Sequence, residues 1–161
     1  MGENAVVGNI RPEIAKHSTF LFIGDIHQVP GNPQGANLLM HTGPGLAASE
    51  LFSQRYNLEK TGAVILYTGG MANFWRQGTE WEFLPLQRGF LSSHAGLVLS
   101  FLWELDFESL GGLLKAMYSE FVSSNQISYK AIHKIQTQMI ADPYASHPYF
   151  WAGILPYNLI V

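Results

Sequence analysis

The sequence contains no cysteine. That excludes disulfides, thiolate metal sites and a cysteine nucleophile at once. It also has few charges: 13% of residues are Asp, Glu, Lys or Arg, with a net charge of −3. The nine Lys and Arg are scattered, so there is no basic field for nucleic acid and no polybasic patch for a membrane surface. No apolar run approaches the ~20 residues of a membrane-spanning helix. Residues Met1 to Asn9 are polar and mixed, without the basic and apolar regions of a signal peptide. Met1-Gly2 opens like a myristoylation signal, but Val6 stands where Ser or Thr is needed. Together these absences lead to the expectation of a cytoplasmic chain that binds neither nucleic acid nor membrane. No cofactor is implied.

What the chain does have is apolar bulk. Hydrophobic residues make up 47%, including ten Phe, seven Tyr and four Trp, in 161 residues. That suffices for one domain with a sizeable core. The organising stretch is Thr61 to Asp106. It opens with a strand-like run, Ala63 to Thr68, that ends in Gly69-Gly70. A loop with Trp75 and Trp81 follows and reads as a hydrophobic lid or contact surface. A helix is expected from about 82 to 93, with Pro85 near its start, and a strand over 96–103, ending at Trp103-Glu104. Upstream, Thr19 to Ile23 is a continuous apolar run suited to a strand buried on both faces. It stops at Gly24-Asp25-Ile26-His27. The Pro and Gly spacing of 29–35 predicts an irregular loop, and 36–40 a short strand. Helical periodicity is present over Leu46–Tyr56, Phe107–Val122 and from Ser128 to about Ala141. Tyr149–Leu155 reads as an edge strand cut off by Pro156. Alternating strands and helices predict an α/β fold whose mostly parallel sheet is covered on both faces. In such sheets ligands gather at the carboxyl ends of the strands. Here those ends are Asp25 to His27, Thr68-Gly69-Gly70 and Trp103 to Asp106.

The side chains at these ends limit the chemistry. Asp25-x-His27 is the opening of a two-metal phosphoesterase site, but that site needs further Asp, Asn and His ligands. No second such strand end follows, and His41 and His94 stand alone. His27, just past a buried strand, is placed as a general base; the competing reading is a loop histidine that serves hydrogen bonding. Thr68 could act as a nucleophile only with a base to activate it. Ser93 and His94 are adjacent in sequence and do not face each other on a helix. Gly69-Gly70 lacks the Lys-Ser/Thr of a phosphate loop.

Taken together the segments resemble a CHAT domain, the caspase-like module related to caspases and separase. Phe20 to His27 is similar to the family's strand leading to its catalytic histidine. Val64-Ile65-Leu66-Tyr67-Thr68-Gly69-Gly70 is similar to its nucleophile strand. Arg88-Gly89-Phe90-Leu91-Ser92-Ser93-His94-Ala95, continuing to Trp103, is similar to its helix-and-strand block. His147-Pro148-Tyr149-Phe150-Trp151-Ala152 is similar to its closing motif. The resemblance implies a caspase-like three-layer sandwich over residues 18–161, the C-terminal portion of such a domain, behind a loose lead-in, 1–17. It implies His27 as the general base and a peptide groove formed by Asp25, Thr68, Gly69, Gly70, Trp103 and Asp106. The departures from the family are specific: its nucleophilic cysteine falls on Gly69, the glycine after its histidine on Gln28, and a further glycine on His94. The expectation is therefore a catalytically inactive binding or regulatory module. The alternative is a hydrolase using His27 with another nucleophile or a thiol from a partner. Expected partners are a protein or peptide, with a tetratricopeptide-repeat chain and a second copy of this chain as candidates.

Overall fold

The structure, a computed structural model, describes residues 10, 13–29, 32–40, 45–53, 56–68, 85–124 and 128–158. Its centre is a four-stranded sheet: β1 (Thr19–Gly24), β5 (Ala63–Thr68), β6 (Val98–Phe101) and β7 (Ile154–Tyr157), in that spatial order. The first three strands are parallel and β7 is antiparallel. A second sheet is an antiparallel meander of β2 (Ile26–Val29), β3 (Asn32–Leu38) and β4 (Leu46–Ala47). The helices are α1 (Ala48–Phe52), α2 (Pro85–Ser92), α3 (Phe107–Ser124), α4 (Tyr129–Ala141) and α5 (Pro148–Trp151).

Strand β5 explains the layering. All six of its residues are buried. Side chains alternate across a pleat, so its neighbours in sequence serve opposite cores. Val64 and Leu66 join Phe22, Val98, Phe90 and Leu51 beneath α1, α2 and the small sheet. Ala63, Ile65 and Tyr67 join Leu99, Phe101, Leu113, Met117 and Ile132 beneath α3 and α4. This is the caspase-like three-layer sandwich that the resemblance implies.

Helices α1 and α2 approach closely because Gly89 has no side chain; a Cβ there would lie 2.9 Å from Leu51 Cβ. Helix α2 ends in a Schellman motif. Ala95 N donates to Phe90 O at 3.1 Å, and His94 N to Leu91 O at 2.9 Å. His94 takes the left-handed position, with φ 72°. The histidine that replaces a family glycine thus keeps the conformation glycine adopts most easily.

Several expectations need correction. Residues 29–35 are not an irregular loop: β3 runs through Pro33 and Gly35, paired with β2 across a register shift between His27 and Val29. That irregularity accommodates residues a regular ladder would reject. The helix expected over 46–56 shortens to α1, because Leu46 and Ala47 pair with β3 instead. The last strand starts later and continues through Pro156. Tyr149 is in α5, where His147 caps the helix and Pro148 occupies its first turn. Pro156 lies opposite Leu99 on an edge strand, where its missing N–H leaves no internal partner unpaired. The lead-in is not loose at its end: Ile14 is buried in the core, and its carbonyl accepts from Thr61 Oγ1 at 2.9 Å. Among the described residues, no helix is long and apolar enough to cross a membrane.

Candidate functional site

Parallel pairing puts the carboxyl ends of β1 and β5 side by side. Gly24 is in register with Thr68, and Ile23 with Tyr67. His27 follows Gly24 by three residues, and Gly69 follows Thr68 directly. Gly69 and Gly70, the expected lid residues Trp75 and Trp81, and His41 lie outside the described residues.

His27 is in β2 opposite Asn37, and its side chain is exposed. Asp25 is exposed at the turn between β1 and β2, where its carbonyl accepts from Leu39 N at 2.9 Å. Thr68 is only 3% exposed, and its hydroxyl has no hydrogen-bond partner among the described residues. Among the described residues no base is hydrogen-bonded to Thr68, and a threonine nucleophile needs one to activate it. Among the described residues, no three His, Cys, Asp or Glu side chains group as metal ligands.

The segment after β6 is held by groups from distant parts of the chain. The Tyr67 hydroxyl donates to Leu105 O at 2.7 Å and accepts from Leu105 N at 2.9 Å. Its ring meets Phe101 edge-on, with centroids 5.2 Å apart. Burial pushes its phenol above the ordinary value; the nearby Glu104 carboxylate adds to the rise, while the bond to Leu105 opposes it. The Trp103 indole donates to Tyr149 O at 2.8 Å, and Tyr149 Oη donates to Glu104 O at 2.9 Å. The ring of Trp103 lies over Gly153, where a Cβ would come within 2.7 Å of it. Trp103 is thus a brace that joins the β6 end to α5.

Asp106 caps α3. Its carboxylate accepts from Ser109 N at 2.9 Å and from Ser109 Oγ at 2.6 Å. Those two bonds hold its carboxyl below the ordinary carboxylate range. Sequence reasoning placed Asp106 in the groove and missed this role, although Asp three residues before Ser at a helix start is a capping signal.

The CHAT domain family matches residues 13–158. The chain belongs to the CHAT-domain family. It matches no curated protein. The CHAT match fits a peptidase-related, caspase-like fold, and its span takes in Ile14, which the sandwich buries.

Two further polar residues of this CHAT domain escaped the sequence reading. Gln87, on α2, donates to Ser100 Oγ at 2.9 Å, and both residues are buried. Gln87 Oε1 has no partner among the described residues. Ser100 is in register with Leu66. Thr68 therefore stands one pleat further along the same face. A polar residue within an apolar strand, such as Ser100, is the signal that could have found this pair.

Proposed function

We propose that this CHAT domain is a catalytically inactive, peptide-binding regulatory module. The reading is supported by the register of β1 with β5, which sets Gly24, three residues before His27, beside Thr68, the residue before Gly69. In the family, those strand ends carry base and nucleophile. Gly69 offers no atom that could attack a carbonyl, so His27 has nothing to deprotonate there.

The site's charge suggests what it holds. Asp25, Glu104 and Asp106 are all exposed, at the carboxyl ends of β1 and β6. An acidic rim attracts cationic segments and repels acidic ones, and salt weakens both effects. The ligand is therefore a Lys- or Arg-bearing extended segment of a protein partner. A tetratricopeptide-repeat chain is one candidate source.

The test is calorimetric titration of the chain with basic, neutral and acidic peptide pools at low and high salt. The reading requires binding of the basic pool that weakens with salt and with Asp25→Asn. Equal binding of all pools, or an unaffected Asp25→Asn variant, would refute the acidic-rim account.

A further inference from the structure

The two edges of the main sheet differ. Strand β7 carries the exposed Pro156, which withholds a donor from any added strand. Strand β1 has no such protection. Thr19 to Gly24 contains no charge, no proline and no bulge, features that natural edge strands use to prevent further pairing.

The hydrogen-bond phase of β1 can be read from its inner side. Ala63 N donates to Ser18 O at 3.1 Å, and Thr19 is in register with Ala63. In a parallel ladder this directs the backbone groups of Ser18, Phe20 and Phe22 towards β5. Those of Thr19, Leu21 and Ile23 point outward, at an edge beyond which no further strand lies among the described residues. The side chains of the same three residues share the face under α3. There Leu21 and Ile23 are each 44% exposed. Helix α3 extends this apolar surface. Besides the stripe it buries, it has a second at Leu114, Tyr118 and Val122, with Tyr118 71% and Val122 63% exposed. Between strand and helix lies a groove of about 350 Å³, lined by Thr19, Leu21, Leu114, Tyr118 and Phe121, with Lys115 at its side.

The geometry points to a second copy of this chain as the occupant of that edge, with β1 pairing antiparallel to its equivalent about a two-fold axis through Leu21. In this arrangement Leu21 faces Leu21 of the second copy, Thr19 faces Ile23 and Phe20 faces Phe22. The outward backbone groups then meet in the closely bonded phase of an antiparallel ladder, giving about six hydrogen bonds. No like charges oppose each other along the strand. At each end Asp25 faces His17 of the second copy, beside Lys16. Glu13 already contacts Lys16 at 2.7 Å and His17 at 3.6 Å, so Asp25 joins an existing ion-pair cluster. A two-fold axis perpendicular to the sheet keeps both α3 helices on one side and brings their exposed apolar stripes together. A parallel pairing would not close and would place like flanks together. The result is a continuous eight-stranded sheet.

The absence of cysteine allows a direct test. Residues in a hydrogen-bonded antiparallel pair have Cα atoms about 5.5 Å apart, within disulfide range. Under mild oxidation Leu21→Cys gives a covalent dimer, whereas Ser53→Cys, exposed just past the end of α1, does not. Equal cross-linking of both overturns the proposal. Sedimentation of the unmodified chain shows a concentration-dependent species of twice 17.9 kDa. Leu21→Lys and Tyr118→Glu each weaken it, roughly tenfold or more, by placing a charge in the apolar contact. Both positions are exposed in the single chain, and circular dichroism checks that the variants fold. A chain that stays monomeric up to about 100 µM, too weak for a specific dimer, overturns the proposal and leaves the edge to a different protein. So does a dimer insensitive to both substitutions.

Discussion

Replacing Tyr67 with Phe removes one oxygen and leaves the ring in place against Phe101. That oxygen carries two hydrogen bonds, at 2.7 and 2.9 Å, to the carbonyl and amide of Leu105. Leu105 is buried, so both backbone groups lose a partner that water replaces poorly. At about 1–3 kcal/mol for each unpaired buried group, and with one of the two regaining some water, the expected loss is roughly 2–4 kcal/mol. Urea denaturation measures it as a lower midpoint with an unchanged slope. Amide hydrogen exchange at Leu105 gives the local readout: its protection falls more than that of β5. The alkaline limb provides a third. Burial raises the Tyr67 phenol above its ordinary value near 10, so its contribution is complete below that pH and is lost as pH rises beyond it. Tyr67→Phe therefore flattens part of the decline above about pH 10, and Tyr157, also raised by burial, accounts for part of the rest. A stability change under about 0.5 kcal/mol, or an unaltered Leu105 amide, would refute the claim that this phenol holds the β6 end in place.

Three further substitutions test other parts of the account. His94→Gly relieves the left-handed backbone at φ 72° and raises stability by roughly 1 kcal/mol in the same denaturation assay. Gly111→Ala adds a methyl with no atom within 4 Å in the middle of α3, and stabilises by about 0.5–1 kcal/mol. Asp106→Asn keeps a capping oxygen but removes a carboxylate held below its ordinary value near 3.8. The native contribution is present above that value and lost as pH falls through the lowered one. The variant's acid denaturation is therefore less steep below pH 4, as followed by circular dichroism during acid titration.

The elements most legible in the sequence were those whose pattern had one physical meaning. Ala63–Thr68 has no alternation, and only a strand buried on both faces accepts that; its limits matched to the residue. Helices α3 and α4 followed from apolar residues at three and four spacing, and α3 runs two residues beyond the expected end. The β2–β3 hairpin was misread because Pro33 and Gly35 signal loops locally, while the pairing that overrides them comes from Leu38 and Asn37 against Ile26 and His27. At the site, the register of Gly24 with Thr68 accords with both strands ending at one place. The Tyr67–Leu105 bridge was not legible, because its partners are 38 residues apart and one of them is bare backbone. The capping role of Asp106 is legible in the sequence, as an Asp directly before a helix with Ser109 three residues on.

The most direct measurement is mass spectrometry of a basic peptide library after incubation with four forms of the chain: unmodified, His27→Ala, Gly69→Cys and Gly69→Cys/His27→Ala. The account predicts that the unmodified chain retains peptides and returns them intact. It also predicts that Gly69→Cys cleaves them only while His27 is present. Cleavage by the unmodified chain, lost with His27→Ala, would contradict it.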